Sequence, residues 1–213
     1  MNFILLRRQV IGQLLVGWGT CVSVLRAQTS ARTPTPQDAL GPYYPPQWSG
    51  EIDNDLVHFN GKDYAHGVLM LQSGRVLSSD GSVIANAQID IWQTDATGKY
   101  RHPGDDGEGP AQRGFQGYGR TRSDTQGHYA FRTIQPVIYG GRPPHLHLKV
   151  TAAGHRELVT QMYFAGQNTE SNRFFNGFSK ERDTLTITPS KIQTPIAGRA
   201  SIAARFDVVL AKT

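Results

Sequence analysis

His145 and His147 stand one residue apart in the run Tyr139-Gly140-Gly141-Arg142-Pro143-Pro144-His145-Leu146-His147. Side chains of an extended segment alternate between its two faces, so this pair points the same way and can grip one metal ion. Leu146, Leu148 and Val150 fall on the opposite face, suited to a core, leaving His145, His147 and Lys149 on a face free for chemistry. Two ordinary polar-face histidines would give the same spacing. The neighbouring donors therefore decide what the pair can do.

Acidic residues are scarce around the pair, and the single cysteine, Cys21, sits near the start of the chain, which excludes the usual thiolate sets of structural zinc. Tyrosine remains as an oxygen donor. Tyr139 lies six residues upstream of His145, and Tyr100 ends the segment that begins at Trp92. Holding a tyrosine ionised at neutral pH costs about 4 kcal/mol, and a trivalent cation such as Fe(III) offsets that twice far better than zinc or magnesium. Fe(III), two phenolates and one hydroxide sum to zero charge, the least costly state to bury. The alternative is that both tyrosines are packing residues with exposed hydroxyls.

The elements that must position these groups read as short strands. Gly67 to Leu77, Ala87 to Gln93, His128 to Thr133, His145 to Thr151, Leu158 to Phe164 and Ala204 to Leu210 are candidates, with Asp80-Gly81 as a turn. No run has helical periodicity beyond a turn or two. The expected fold is all-β: a β-sandwich of short, mostly antiparallel strands with long functional loops and little helix. Arg101 to Gln116 and Gln167 to Asp183 are the long loops, a length often tied to function.

Residues 1–27 read as an export leader, with Arg7-Arg8 resembling a twin-arginine signal and no acidic residue before Asp38. Ala27 and Ala31 compete as cleavage points. The leader's apolar stretch is too short and interrupted for a transmembrane helix, so no stable membrane insertion is expected. Residues 28–40, polar with Pro34 and Pro36, read as a flexible linker, and 41–213 as the catalytic domain. The formal charge of +5 falls to +2 without Arg7, Arg8 and Arg26, too little to imply nucleic acid. The expected location is periplasmic or extracellular.

Several stretches occur in order: Gly41-Pro42-Tyr43-Tyr44, Ile91-Trp92-Gln93, Gly98-Lys99-Tyr100-Arg101-His102, Gly119-Arg120, Phe131-Arg132-Thr133-Ile134, Arg142-Pro143-Pro144-His145-Leu146-His147, and Leu158 to Phe164. Together they resemble the intradiol ring-cleavage dioxygenases, particularly the protocatechuate 3,4-dioxygenase type. That resemblance implies one non-haem Fe(III) per chain held by Tyr100, Tyr139, His145 and His147, with Tyr100 and His145 equatorial, Tyr139 and His147 axial, and Tyr139 the ligand that leaves. It implies a small aromatic diol and O2 as partners, cleavage between the two hydroxylated carbons to a cis,cis-muconate, and no organic cofactor, in keeping with the lack of a dinucleotide fingerprint. Arg142 matches the arginine that stabilises charge on the substrate, Gln161 a glutamine bonded near the site, and Gly41 and Pro42 the pocket wall. Trp92 reads as core packing.

Between Tyr139 and Arg142 only two glycines intervene, where better-studied members carry a longer loop, which suggests a more open mouth. Lys99, Arg120 and Arg122 could each hold a substrate carboxylate. The sequence leaves the particular catechol and any homo-oligomer open. Two rivals stand beside this reading: a non-enzymatic transthyretin-like sandwich used for binding, and a zinc hydrolase recruiting His102 and Asp105.

Overall fold

The structure is a computed structural model, and it describes residues 30–213 apart from 46, 49, 64–65, 167–181 and 197. The leader with Cys21 and nearly all of the second long loop lie outside the described residues. Among the described residues there are twelve strands: β1 (His58–Phe59), β2 (Lys62–Asp63), β3 (Leu69–Ser78), β4 (Gln88–Trp92), β5 (Tyr118–Arg122), β6 (His128–Ile134), β7 (His145–Thr151), β8 (Leu158–Phe164), β9 (Thr186–Ile187), β10 (Ser190–Lys191), β11 (Ser201–Arg205) and β12 (Val208–Leu210). A 3-10 turn over Arg182–Leu185 is the helical element among them. The all-β expectation holds.

Two five-stranded mixed sheets face each other. In the first, β3 pairs with β6 along one edge, and along the other with β11 and β12 in parallel; β10 extends β11. The second runs β5-β4-β7-β8-β9, antiparallel except for the β8–β9 pair. Met70, Val76, Phe131 and Val208 from the first sheet meet Ile89, Ile91, Leu146, Leu148, Val150 and Met162 from the second in one buried cluster. Burying side chains of this size, each worth about 1.5–3 kcal/mol, clamps the two layers.

The closing strand expected over 204–210 is two strands. β11 ends at Arg205, the Asp207 carboxylate accepts from the Arg75 amide at 2.9 Å, and β12 resumes the ladder opposite Val76. β5 was not anticipated, because Tyr-Gly-Arg-Thr-Arg carries no apolar alternation. Residues 32–39, expected to be flexible, are tied down instead. Arg32 N donates to Ser79 O, Thr35 N to Val209 O, and Asp38 N to Val159 O, each at 2.8–2.9 Å, while Thr160 Oγ1 donates to Pro36 O at 2.8 Å.

This strap continues into a turn at Pro42-Tyr43 and covers the outer face of the second sheet. The histidine face of β7 is consequently closed: His145 is 3% exposed and His147 1%. Register places Tyr118, Trp92, His147 and Gln161 in one row across β5-β4-β7-β8 and Arg120, Asp90, Lys149 and Val159 in the next. Strand pairing thus gathers on one face residues spread over more than 40 positions of the chain.

Candidate active site

Three elements deliver the four predicted donors to one place. β7 carries His145 and His147, whose ring centroids lie 4.8 Å apart at 75°. Tyr100 follows β4 on a loop fixed by two carboxylates. Asp95 accepts from the Thr97 and Lys99 amides, and Asp105 from the Tyr100 amide at 2.6 Å. The Tyr100 hydroxyl reaches to 3.5 Å from His145 Nε2. The Tyr139 ring stands 5.3 Å from that of Tyr100 at 86°.

Tyr139 and Arg142 face each other across the two-residue turn Gly140-Gly141, exchanging N–H···O bonds of 3.3 and 2.8 Å. Both glycines have positive φ, 52° and 76°, as this tight turn demands and as side-chain-bearing residues resist. Tyr139 and Arg142, opposite each other across it, leave the chain on the same side. An Arg142 guanidinium N–H donates to Gln161 Oε1 at 2.5 Å. Gln161 Nε2 in turn donates to Ala39 O at 2.6 Å, and the Tyr163 hydroxyl sits between Gln161 and Asp38. The strap is therefore bonded to the residue that holds the arginine.

His145 presents Nε2 to the Tyr100 hydroxyl, and His147 stands beside it. His145 Nδ1 lies 2.7 Å from Pro143 O, so the proton resides there and the Nε2 lone pair is free. His147 lies flat on Trp92 at 4.8 Å and 9°, with the Ala39 backbone beside its ring and no hydrogen bond to its buried Nδ1 among the described residues. Gly41, at φ 71°, covers its other edge: a Cβ there would stand 3.2 Å from His147 Cε1. Burial, and then the Arg142 charge, lowers the His145 pKa to about 3, and burial followed by the neighbouring His145 holds His147 well below its ordinary value. Both are neutral imidazoles. Burial pushes both phenols up, that of Tyr139 further through its bond to Tyr43, so without a cation they keep their protons.

Six predicted residues converge with Gly41 alongside: Tyr100, Tyr139, Arg142, His145, His147 and Gln161. Pro42 stands exposed in the strap's turn. Trp92 is buried as expected, and it packs against a candidate donor. Tyr43 was not singled out by the sequence: it accepts from the Tyr139 hydroxyl at 2.7 Å and stacks on Tyr100 at 4.6 Å. A tyrosine in a proline-rich stretch has no periodicity to betray its partner 96 residues away.

The candidates for a substrate carboxylate are otherwise engaged. Lys99 Nζ donates to the carbonyls of Asp105 and Gly107, Arg120 is held by Asp90, and Arg122 donates to Asn86 O. The zinc-hydrolase set does not assemble either, since Asp105 is turned onto the amides of Tyr100 and Gly107 and His102 Nδ1 accepts from Gly104 N. A cleft of about 820 Å³ opens beside Tyr100, with Trp48, Phe59 and His102 on its walls.

A family model described as Dioxygenase matches residues 39–212, which contain every one of these residues. The chain belongs to the intradiol ring-cleavage dioxygenases. The dioxygenase is 31% identical over 204 residues to the protocatechuate 3,4-dioxygenase beta chain of Burkholderia cepacia, covering 88% of this chain and 85% of that one. It is 32% identical to the chlorocatechol 1,2-dioxygenase of Cupriavidus pinatubonensis over 72% of its own length and 62% of that enzyme's. Among solved structures, the dioxygenase domain of a dioxygenase and carbohydrate-binding protein fusion from Streptomyces sp. SirexAA-E is 26% identical and superposes with a TM-score of 0.61, covering 85% of this chain and all of that domain. The 3-chlorocatechol 1,2-dioxygenase of Rhodococcus opacus, 22% identical, shares the fold with a TM-score of 0.67 over 84% of this chain and 73% of its own. This membership sets aside the non-enzymatic carrier reading.

Proposed function

We propose that the protein is a non-haem Fe(III) intradiol dioxygenase that opens a catechol ring between its hydroxylated carbons, placing both atoms of O2 in a cis,cis-muconate-type product. The observation that carries this reading is the meeting of Tyr100 Oη with His145 Nε2 at 3.5 Å, with Tyr139 and His147 beside them. Two phenol oxygens and two neutral imidazoles brought together in this way would form a hard donor set for a trivalent ion. When bound, Fe(III) supplies the Lewis acidity that ionises both phenols and a chelated diol and draws electron density from its ring.

The protein's own groups do the rest. Tyr139 Oη donates to Tyr43 while it carries its proton; ionised by the bound metal, it would be the oxygen placed to take one hydroxyl proton from an arriving diol. The Arg142 guanidinium, aimed by Gln161, stabilises negative charge that builds on the ring oxygens. Trp92, Gly41 and the strap exclude water from the His147 side. A diol and O2 together hold every atom of the product, so no reductant is required. The twin arginines of the leader support an exported enzyme.

An anaerobic absorption titration tests the reading. The purified protein should show a broad tyrosinate-to-Fe(III) band in the visible that moves to longer wavelength with catechol and decays on admitting O2. A protein that stays colourless after reconstitution with ferric and ferrous salts would overturn it. Because Lys99, Arg120 and Arg122 are engaged, catechols without a ring carboxylate are the proposed substrates. Steady-state assays should then give catechol a kcat/KM at least about tenfold above that of protocatechuate, the worth of one lost charge-assisted contact.

A further inference from the structure

Asp90 is a carboxylate 1% exposed on the outer face of β4, two residues before Trp92. Arg120, opposite it on β5, donates to both its oxygens at 2.6 and 2.9 Å and also to the Tyr118 hydroxyl at 2.8 Å. The remaining strong bond comes from outside the sheet, where the Tyr44 hydroxyl of the strap donates to Asp90 Oδ2 at 2.9 Å. The Tyr44 ring is enclosed by the edge of Trp92 at 4.8 Å and by Lys149 Nζ at 5.1 Å, and Lys149 is paired with Glu157.

An ion pair with its carboxylate buried and its guanidinium 38% exposed adds little to a sheet's stability, because desolvating the carboxylate offsets much of a partly screened attraction. Its value lies in fixing a position. The strap is anchored on one side of the site through Asp38 to Tyr163 and Ala39 to Gln161, and on the other through Tyr44 to Asp90. Between these anchors lie Gly41, against His147, and Tyr43, against Tyr100 and Tyr139. Tyr43 is adjacent to Tyr44, so a hydroxyl fixed on Asp90 sets where its neighbour's hydroxyl meets Tyr139.

We propose that Asp90 and Arg120 are positioning residues of the active site, acting through Tyr44 to hold Tyr43 in register with Tyr139. The proposal rests on the dioxygenase reading for its catalytic consequence, while the anchoring itself is independent of that reading. Tyr44→Phe deletes one hydroxyl and leaves the ring packing in place. Hydrogen exchange on the full chain should show the amides of Asp38, Ala39, Leu40, Gly41, Tyr43 and Tyr44 exchanging about tenfold faster in this variant, with β4 and β7 unchanged. That is the scale expected for losing a hydrogen bond to a charged group.

In parallel, catechol kcat/KM should fall about tenfold in Tyr44→Phe, yet less than twofold when the same change is made on a Tyr43→Phe background, because a residue acting through another adds nothing once that other is gone. Asp90→Asn, which keeps the size and an acceptor oxygen, should give the same pattern at smaller amplitude, and it serves equally if Tyr44→Phe accumulates poorly. Wild-type exchange in the strap, or a full tenfold loss that persists without the Tyr43 hydroxyl, would overturn the proposal. A wild-type protein that cleaves no catechol would instead strike the dioxygenase reading and leave the exchange result to judge the anchor.

Discussion

His147→Ala should purify with little iron and lose ring cleavage by more than about 1,000-fold. Loss of a partner that merely orients a metal ligand costs roughly 10–100-fold, and in the proposed site His147 is itself a donor. Its ring is flat against Trp92, Gly41 covers its edge, and its neutral state is enforced by burial. Removing it leaves a hole that solvent enters from the strap side, with three donors where the proposed Fe(III) uses four protein ligands. Metal analysis of the purified variant, with its visible spectrum, reads the first effect and a catechol assay the second. Full iron content with a wild-type spectrum would mean that His147 is a packing residue, and the donor set would have to be redrawn.

Gly74→Ala should be the most damaging small change in the other sheet. A Cβ at Gly74 would stand 1.9 Å from the Phe206 carbonyl oxygen, 2.7 Å from its carbon and 2.8 Å from Tyr129 Cε1. None of these is a flexible side-chain end. Phe206 O also accepts the Tyr129 hydroxyl at 2.6 Å, a buried bond that relief of the clash would break. Overpacking and a lost buried hydrogen bond together amount to about 4 kcal/mol. Urea unfolding should show that deficit, while whatever fraction stays folded should cleave catechol at the normal rate, since the site sits on the opposite sheet.

The sequence was legible where side-chain alternation carries the information. β7 and β8 have the bounds expected, because Leu146, Leu148 and Val150, and then Leu158 and Met162, mark a buried face without ambiguity. The histidine pair and its common direction followed from the same alternation, and Tyr100, Tyr139, Arg142 and Gln161 through motifs the structure brings together. Legibility failed where a residue's role is set by a distant partner. β5 is a strand because β4 supplies its ladder, and Tyr43 belongs to the site because a turn places it over Tyr139. Lys99 and Arg120 looked like free cations for a substrate, yet Asp105, Gly107 and Asp90 consume them. The polar composition of residues 32–39 suggested a loose tether; its amides and carbonyls instead find partners at β8 and β12.

That tethering joins segments far apart in the chain, with Thr35 and Val209 linked in both directions across 174 positions. Contacts so far apart close slowly, since the intervening chain must be ordered first. During synthesis the Thr35 end of the strap has no partner until β12 has left the ribosome, although its later residues find theirs on β4 and β8. The strap that covers the histidine face is therefore fully anchored only once β12 has been made.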